Sequence, residues 1–353
     1  MENTKIWFLA DTHFGVRGDD EIWLDDYIGY FENYLIPLMK ERVKENDILV
    51  HCGDVFDCRS TIGLHTMCRV INLFEEFSEI FKDIRIIVGN HDIFRKSSND
   101  ITSVNMLKHI PNVKIYYEPC VEVIDGKTCL FNPWVEDLEK EKIILSGVDV
   151  NYVFGHLMIG GSKMSDRSGM KISATSGISV KDFKSAQVYA GHIHIRQDNK
   201  NIHYIGNPYS KDRGDRGNKK GITILDVKTG KTEFIENTYS SKFVKDNIYD
   251  IVNLTIKDLK KRWNNNYVDL HLKGCDITRC SFDDLRECLN GVYKSFNPVG
   301  DNTVIETENV KSADFKDAKT SNDYLTEFID SQDLDDDFKK MVMEKIMEYN
   351  GRL

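Results

Sequence analysis

Apolar residues in this chain gather into short runs that stop abruptly at Gly, Asp, Asn or His. Ile6–Ala10 runs into Asp11-Thr12-His13, and Ile48–Val50 into His51-Cys52-Gly53-Asp54. Ile84–Val88 is followed by Gly89-Asn90-His91-Asp92, Tyr152–Phe154 by Gly155-His156, and Val188–Ala190 by Gly191-His192-Ile193-His194. Runs this short, bounded by turn residues, predict buried strands. Between them the spacing turns helical. Ile22–Val43 reads as an amphipathic helix interrupted by Pro37. Gly63–Lys82 reads as a second, with Leu64, Met67, Ile71, Phe74 and Phe81 on a stripe widened by Val70 and Phe77. A short helix over about 101–109 is expected, then strands near 113–117, 120–124 and 128–131, and closing β-structure at 202–206, 221–227 and 232–235. Strand alternating with helix predicts a layered α/β sheet. In such sheets the chemistry lies at the C-terminal ends of the strands. A single Gly-Asp there is an ordinary turn. Five strand ends carrying Asp, Asn or His are a pattern.

The remainder of the chain is less regular. Gly160–Gly177 has no period and is expected to be a long exposed loop between two His-bearing strands. Lys211–Lys220 carries five basic and two acidic residues. A solvated loop is the default for such a run; its place beside the His cluster makes Lys211, Arg213, Arg216, Lys219 and Lys220 candidates for phosphate-backbone contacts. From about residue 240 a small α/β unit is expected, with a strand at Tyr267–Leu272 and a helix at Phe282–Val292. Residues 297–320 are polar and read as a linker. Tyr324–Ile329 and Leu334–Tyr349 close the chain as two amphipathic helices, and short helices detached from a core need a partner surface. The expected organisation is a main domain over 1–238, a small domain over 239–296, the linker, and a helical partner-binding segment over 321–353.

Composition narrows the class. With 41% apolar and 29% charged residues the chain has the balance of a soluble globular protein. No apolar run approaches the roughly 18 residues that span a bilayer. Eight scattered cysteines without a Cys-x-x-Cys pair fit reduced thiols in the cytoplasm. The net charge of −10 argues at first against a polyanionic partner. Residues from 301 onward, however, hold 14 acidic and 7 basic side chains, a net −7, which leaves only −3 on the first 300. A near-neutral body can hold a basic groove.

Asp, Asn and His without thiolate form a ligand set for manganese, iron or zinc. Seven such groups exceed the needs of one ion; two ions roughly 3.5–4 Å apart and sharing a carboxylate would use them all. Such a pair activates a water and stabilises an in-line displacement at phosphorus, so a phosphate ester is the expected substrate. Asp11-x-His13, Gly53-Asp54, Gly89-Asn90-His91-Asp92, Gly155-His156 and Gly191-His192-x-His194 resemble the motifs of the calcineurin-like metallophosphoesterases over about residues 1–235. The resemblance implies a four-layer sandwich of two mixed β-sheets flanked by helices. It also implies that Asp11, His13 and His194 hold one ion, that Asn90, His156 and His192 hold the other, and that Asp54 bridges. His91 matches the family's catalytic histidine. Asp57 stands where some relatives carry His and is expected, with Asp92, to orient ligands from behind rather than react. Within the family, Asp11-Thr-His-Phe-Gly15, Gly53-Asp-Val-Phe-Asp57 and Gly206-Asn-Pro208 look most like the nuclease subunit of SbcCD-type DNA repair complexes, especially the phage version. That implies a manganese-dependent double-strand exonuclease and single-strand endonuclease for DNA ends. It further implies a capping and DNA-binding role for 239–296, a coiled-coil, SMC-like ATPase docked on the C-terminal helices, a homodimer through helices near 63–82 and 101–109 and, if the protein is phage-encoded, the cytoplasm of a bacterial host. The alternatives are a phosphatase or cyclic-nucleotide phosphodiesterase on the same fold, or a DNA-end-binding subunit without turnover.

Overall fold

A computed structural model of the chain describes residues 3–95, 98–164, 170–272, 291 and 293–299. Its strands, in chain order, are β1 (Lys5–Leu9), β2 (Ile48–His51), β3 (Ile84–Ile87), β4 (Ile93–Arg95), β5 (Ser98–Thr102), β6 (Val113–Tyr116), β7 (Cys120–Ile124), β8 (Lys127–Asn132) and β9 (Tyr152–His156). They continue as β10 (Gln187–Gly191), β11 (Gln197–Asn199), β12 (Ile202–Tyr204), β13 (Gly221–Asp226), β14 (Thr232–Glu236), β15 (Phe243–Asn247), β16 (Tyr267–His271) and β17 (Ser295–Val299). Two six-stranded mixed sheets result, in the orders β14-β13-β1-β2-β3-β6 and β11-β12-β10-β9-β8-β7. Strands β1, β2, β3 and β6 run parallel, as do β8, β9, β10 and β12, and the antiparallel strands lie outside these parallel sets. Every strand end singled out by its polar residues therefore lies at the C-terminal edge of a parallel set.

The period-two alternation of strands builds the layers. From β1 and its end, Ile6, Phe8 and Ala10 join Phe131, Phe154 and Tyr189 of the second sheet in one apolar cluster, with Phe8 stacked on Tyr189 at 5.0 Å. Trp7 and Leu9 belong to a different cluster, with Tyr27, Phe31, Phe74 and Phe77 of the helices. Leu130, Val153 and Val188 of the second sheet cluster with Leu145, on the helix Leu138–Gly147 that hydrophobic spacing did not reveal. Helix, sheet, sheet and helix make the expected four layers.

Two helical expectations are corrected. The segment with Pro37 is not broken there: Glu21–Tyr30 passes through a π-turn at Phe31–Leu35 into Ile36–Arg42. Pro37 follows the π-turn, where Ile36 N–H already bonds five residues back to Phe31 O, so the hydrogen-bond ladder is offset just before the proline's missing N–H. Phe74 and Phe77, on the 63–82 helix through which the resemblance implies a homodimer, are 1% and 0% exposed inside the chain's own core and have no surface to offer a second copy. Among the described residues, the large apolar side chains left exposed on the two proposed dimer segments are Leu64 and Ile101. The 101–109 helix is a 3₁₀ segment, Ser103–His109.

A small unit packs β15, β16 and β17 into a parallel sheet against the helix Ile256–Trp263, around Leu259, Trp263, Val268 and Leu270. Trp23 stacks on its Tyr267 at 4.4 Å, and Asp26 accepts from Ser241, Tyr267 and Lys294. Strand β17 carries regular structure to Val299, three residues into the segment expected as linker, because Asn297–Val299 pair with Asp269–His271. The helix expected over 282–292, residue 291 apart, and the two C-terminal helices lie outside the described residues.

Candidate metal centre

The ends of β1, β2, β3, β9 and β10 converge. Cys52 N–H donates to Leu9 O at 2.7 Å, Asp11 N–H to Gly53 O at 3.0 Å and His13 N–H to Asp54 O at 3.1 Å, which ties the first two ends together. His192 N–H reaches across from the second sheet to the Asp11 carboxylate at 2.9 Å. The glycines permit this closeness. A Cβ on Gly53 would lie 2.4 Å from His156 Nδ1, and one on Gly89 would lie 2.3 Å from Asp54 N. Asp11, His13, Asp54 and His192 take left-handed φ values of 53°, 46°, 57° and 91°. Such backbone costs on the order of 1–3 kcal/mol per residue and collects at functional sites.

The seven residues named from sequence meet here. One donor group each from Asp11, His13 and His194, and again from Asp11, Asp54 and His156, lies within 4.8 Å of the others. Asn90 Oδ1 stands 2.9 Å from both His156 Nε2 and His192 Nδ1. Asp54 Oδ2 is 3.3 Å from His156 Nε2 and 3.7 Å from His13 Nε2, between the two groups. His156 Nδ1 donates to Cys52 O, which fixes the tautomer and turns Nε2 toward Asn90 and Asp54.

Electrostatics fit a cation. Burial keeps His13 below its ordinary range, His192 at about 3 and His194 well down, so these rings are neutral, the form that ligates. Burial also lowers His156, but the Asp54 carboxylate outweighs it and lifts the ring to about 9. Asp54 itself is raised by burial and pulled lower still by His156, ending well below the usual carboxylate range. Asp11 goes the other way, to about 7, because burial is incompletely offset by His156 and Asp54 repels it. A carboxylate driven toward protonation by burial, with a neighbouring carboxylate adding to the shift, lacks positive charge, which divalent ions at these donors would supply.

Around this set stand residues that hold it. His91 N–H donates to Asp54 Oδ1 at 2.8 Å, and its Nδ1 donates to Asp57 O at 2.6 Å, so Nε2 is the half-buried ring's free nitrogen. Asp57 lies with Oδ1 3.2 Å from His13 Nδ1 and 2.7 Å from Lys211 Nζ. Burial raises the Asp57 carboxyl, while His13 and Lys211 bring it below its usual range. Asp92, fully buried, accepts N–H groups from Asp54, Val55 and Gly89 at 2.9–3.0 Å and the Ser103 hydroxyl at 3.3 Å. Burial and the nearby Asp54 charge push its carboxyl up to about 7 against those donors. Asp92→Ala should orphan four buried N–H groups, those of Asp54, Val55, Gly89 and, at 3.4 Å, Phe56, and cost about 4 kcal/mol or more at roughly 1–3 each. Urea unfolding of the metal-free protein checks this, and a loss under about 1 kcal/mol would contradict it.

The basic loop is mostly committed within the chain. Lys211 pairs with Asp57, Arg213 and Arg216 both reach Asp269, and buried Lys220 is held by Asp215, Asn207 and the His194 carbonyl. Lys220 thus serves as a buried anchor for the strand end bearing His194, with little surface for a phosphate. Lys219 is largely exposed, 3.6 Å from Glu236. Trp134 was missed by sequence reasoning: its ring stands 4.9 Å from that of His192 and 6.0 Å from that of His156. It follows β8, so the strand-end rule applied to Phe131-Asn132-Pro133-Trp134 finds it.

The family model for calcineurin-like phosphoesterases matches residues 4–196. Exonuclease subunit 1 of Enterobacteria phage T4 is 30% identical over 243 residues, covering 66% of this chain and 68% of that protein. A subunit of nuclease SbcCD from Staphylococcus epidermidis is 21% identical over 352 residues, covering 88% and 89%. Among solved structures, the phosphopantetheinyl hydrolase of Mycobacterium tuberculosis aligns with a TM-score of 0.33 at 12% identity, covering 58% of this chain and 90% of that one.

Proposed function

The chain belongs to the calcineurin-like phosphoesterases, and from that premise we propose that it is a two-metal DNA nuclease, the catalytic subunit of an SbcCD-type end-processing complex. The observation that carries the proposal is Asp54, its carboxylate set between the His13 and His156 rings with the remaining donors grouped around them. Asp11, His13 and His194 would hold one divalent ion, Asn90, His156 and His192 the other, and Asp54 both, with manganese the expected metal. Bound ions would acidify a water and neutralise charge on the phosphate. The chain's own residues do the rest. Asp57 fixes His91 through its carbonyl, leaving Nε2 to hydrogen-bond a phosphate oxygen or carry a proton to the leaving oxygen. Asp92 keeps the β2 and β3 ends at fixed spacing.

DNA as substrate is supported by the names of the two curated relatives, an exonuclease subunit and a nuclease subunit. Both are named as subunits, which supports an ATPase partner for this chain and a docking role for 321–353. A homodimer through the segments near 63–82 and 101–109 would use their outer faces, where Leu64 and Ile101 are exposed. The deciding assay compares labelled duplex and single-stranded DNA with a generic phosphodiester, in magnesium or manganese. DNA cleavage in manganese is expected; hydrolysis of the simple diester with DNA untouched would favour a phosphatase or cyclic-nucleotide phosphodiesterase. Deleting 321–353 should spare metal-dependent cleavage of simple DNA and abolish ATPase association. Retention of the partner by the truncated chain would refute that role.

A further inference from the structure

A cleft of about 120 Å³ opens beside the metal donors, lined by Arg59, Asn90, Ile93, Trp134 and Glu136. None of these except Asn90 has a part in the chemistry above. We propose that this cleft receives one unpaired base of the DNA strand, from a nucleotide next to the scissile phosphate, stacked on Trp134 while Arg59 pairs with that nucleotide's phosphate. The inference rests on the nuclease assignment of the same site.

Position is the first support. Asn90 lines the cleft and sets its amide oxygen 2.9 Å from His156 and from His192, so a group in the cleft adjoins the reacting phosphate. Rigidity is the second. Trp134 N–H donates to Val88 O at 2.9 Å and its indole N–H to Glu136 at 3.1 Å, which fixes the ring in one plane beside His192 while leaving it partly accessible. A preset aromatic plane loses little entropy on binding. Chemistry is the third. An indole and a guanidinium are the pair that recognises base faces and phosphates without reading sequence, and no ion pair holds Arg59 among the described residues. Size is the fourth. The cleft is well below the roughly 300 Å³ of ordinary small-molecule pockets, so it takes a single ring and not a base pair. A stacked, paired base cannot present its face there; a frayed or single-stranded one can.

The test is a cycle between the protein and the substrate. Single-stranded oligonucleotides carry either a normal base or an abasic tetrahydrofuran at each position flanking the cut. Their kcat/KM in manganese is measured for the wild type, Trp134→Ala and Trp134→Phe. In the wild type one abasic position should lower kcat/KM by about 5- to 150-fold, the range of one base–aromatic stack. In Trp134→Ala the intact oligonucleotide should fall by that factor and the abasic one no further, while Trp134→Phe keeps most of the discrimination. Arg59→Gln should raise KM more than it lowers kcat. If Trp134→Ala slows intact and abasic substrates equally, the indole merely props the His192 ring and the proposal is overturned. If no wild-type abasic position matters, it is overturned as well. A wild type that hydrolyses simple diesters but no DNA fails differently: it removes the nuclease assignment, and this inference with it.

Discussion

Asp54→Asn should strip the protein of both metal ions and lower DNA cleavage by more than about 100-fold. Losing a residue that only supports a metal ligand costs roughly 10- to 100-fold, and Asp54 would be a ligand to two ions, so that range is a floor. The asparagine keeps the size of the side chain and an oxygen for the His91 N–H, which now reaches Asp54 Oδ1 at 2.8 Å. What it removes is the charge between His13 and His156. His156 shows how much rests on that charge: burial lowers the ring, and the Asp54 carboxylate reverses this and lifts it to about 9. Metal content per chain, measured with activity, decides. Two ions retained in Asp54→Asn would refute the bridge.

His91→Ala separates chemistry from metal binding. Loss of a positioned proton-transfer group costs roughly 10²–10⁴-fold in kcat, and a loss in that range is expected here. Bound manganese should be nearly unchanged, because Nδ1 is spent on the Asp57 carbonyl and the seven other donors remain. The geometry makes this a sharp test. One donor atom each from His13, Asp54 and His91 lies within 4.8 Å of the others, so His91 is close enough to ligate. An alanine variant that loses an ion along with its activity would make His91 a ligand instead of the catalytic histidine.

Much of this site is legible along the chain because its donors sit at strand ends, one residue type after one apolar run. Gly53-Asp54 and Gly191-His192-Ile193-His194 are readable because β2 and β10 are short, buried strands whose composition does not compete with any helical pattern. The helix at Leu138–Gly147 was not readable: its sequence, Leu-Glu-Lys-Glu-Lys-Ile-Ile-Leu-Ser-Gly, buries only Glu141 and Leu145 and so carries almost no stripe. Phe74 and Phe77 show the converse. Their spacing reveals a helix face but cannot say whether that face meets the chain's own sheet or another chain.

What the sequence determined by itself is the order of the strands that carry the site and the identity of the polar groups at their ends, since both follow from local periodicity and turn chemistry. What only the tertiary structure decided is which of those groups face one another. Lys211, Arg213, Arg216 and Lys220 look alike in the chain, yet one pairs with Asp57, two reach Asp269 in the small unit, and one is buried under His194. Asp57 likewise gained its place only when the fold brought His13 and Lys211 to its carboxylate and His91 to its carbonyl. The reason is physical: a strand's register and side-chain alternation are short-range. The charge a buried group must face is set by partners tens to hundreds of residues away, and no local pattern encodes them.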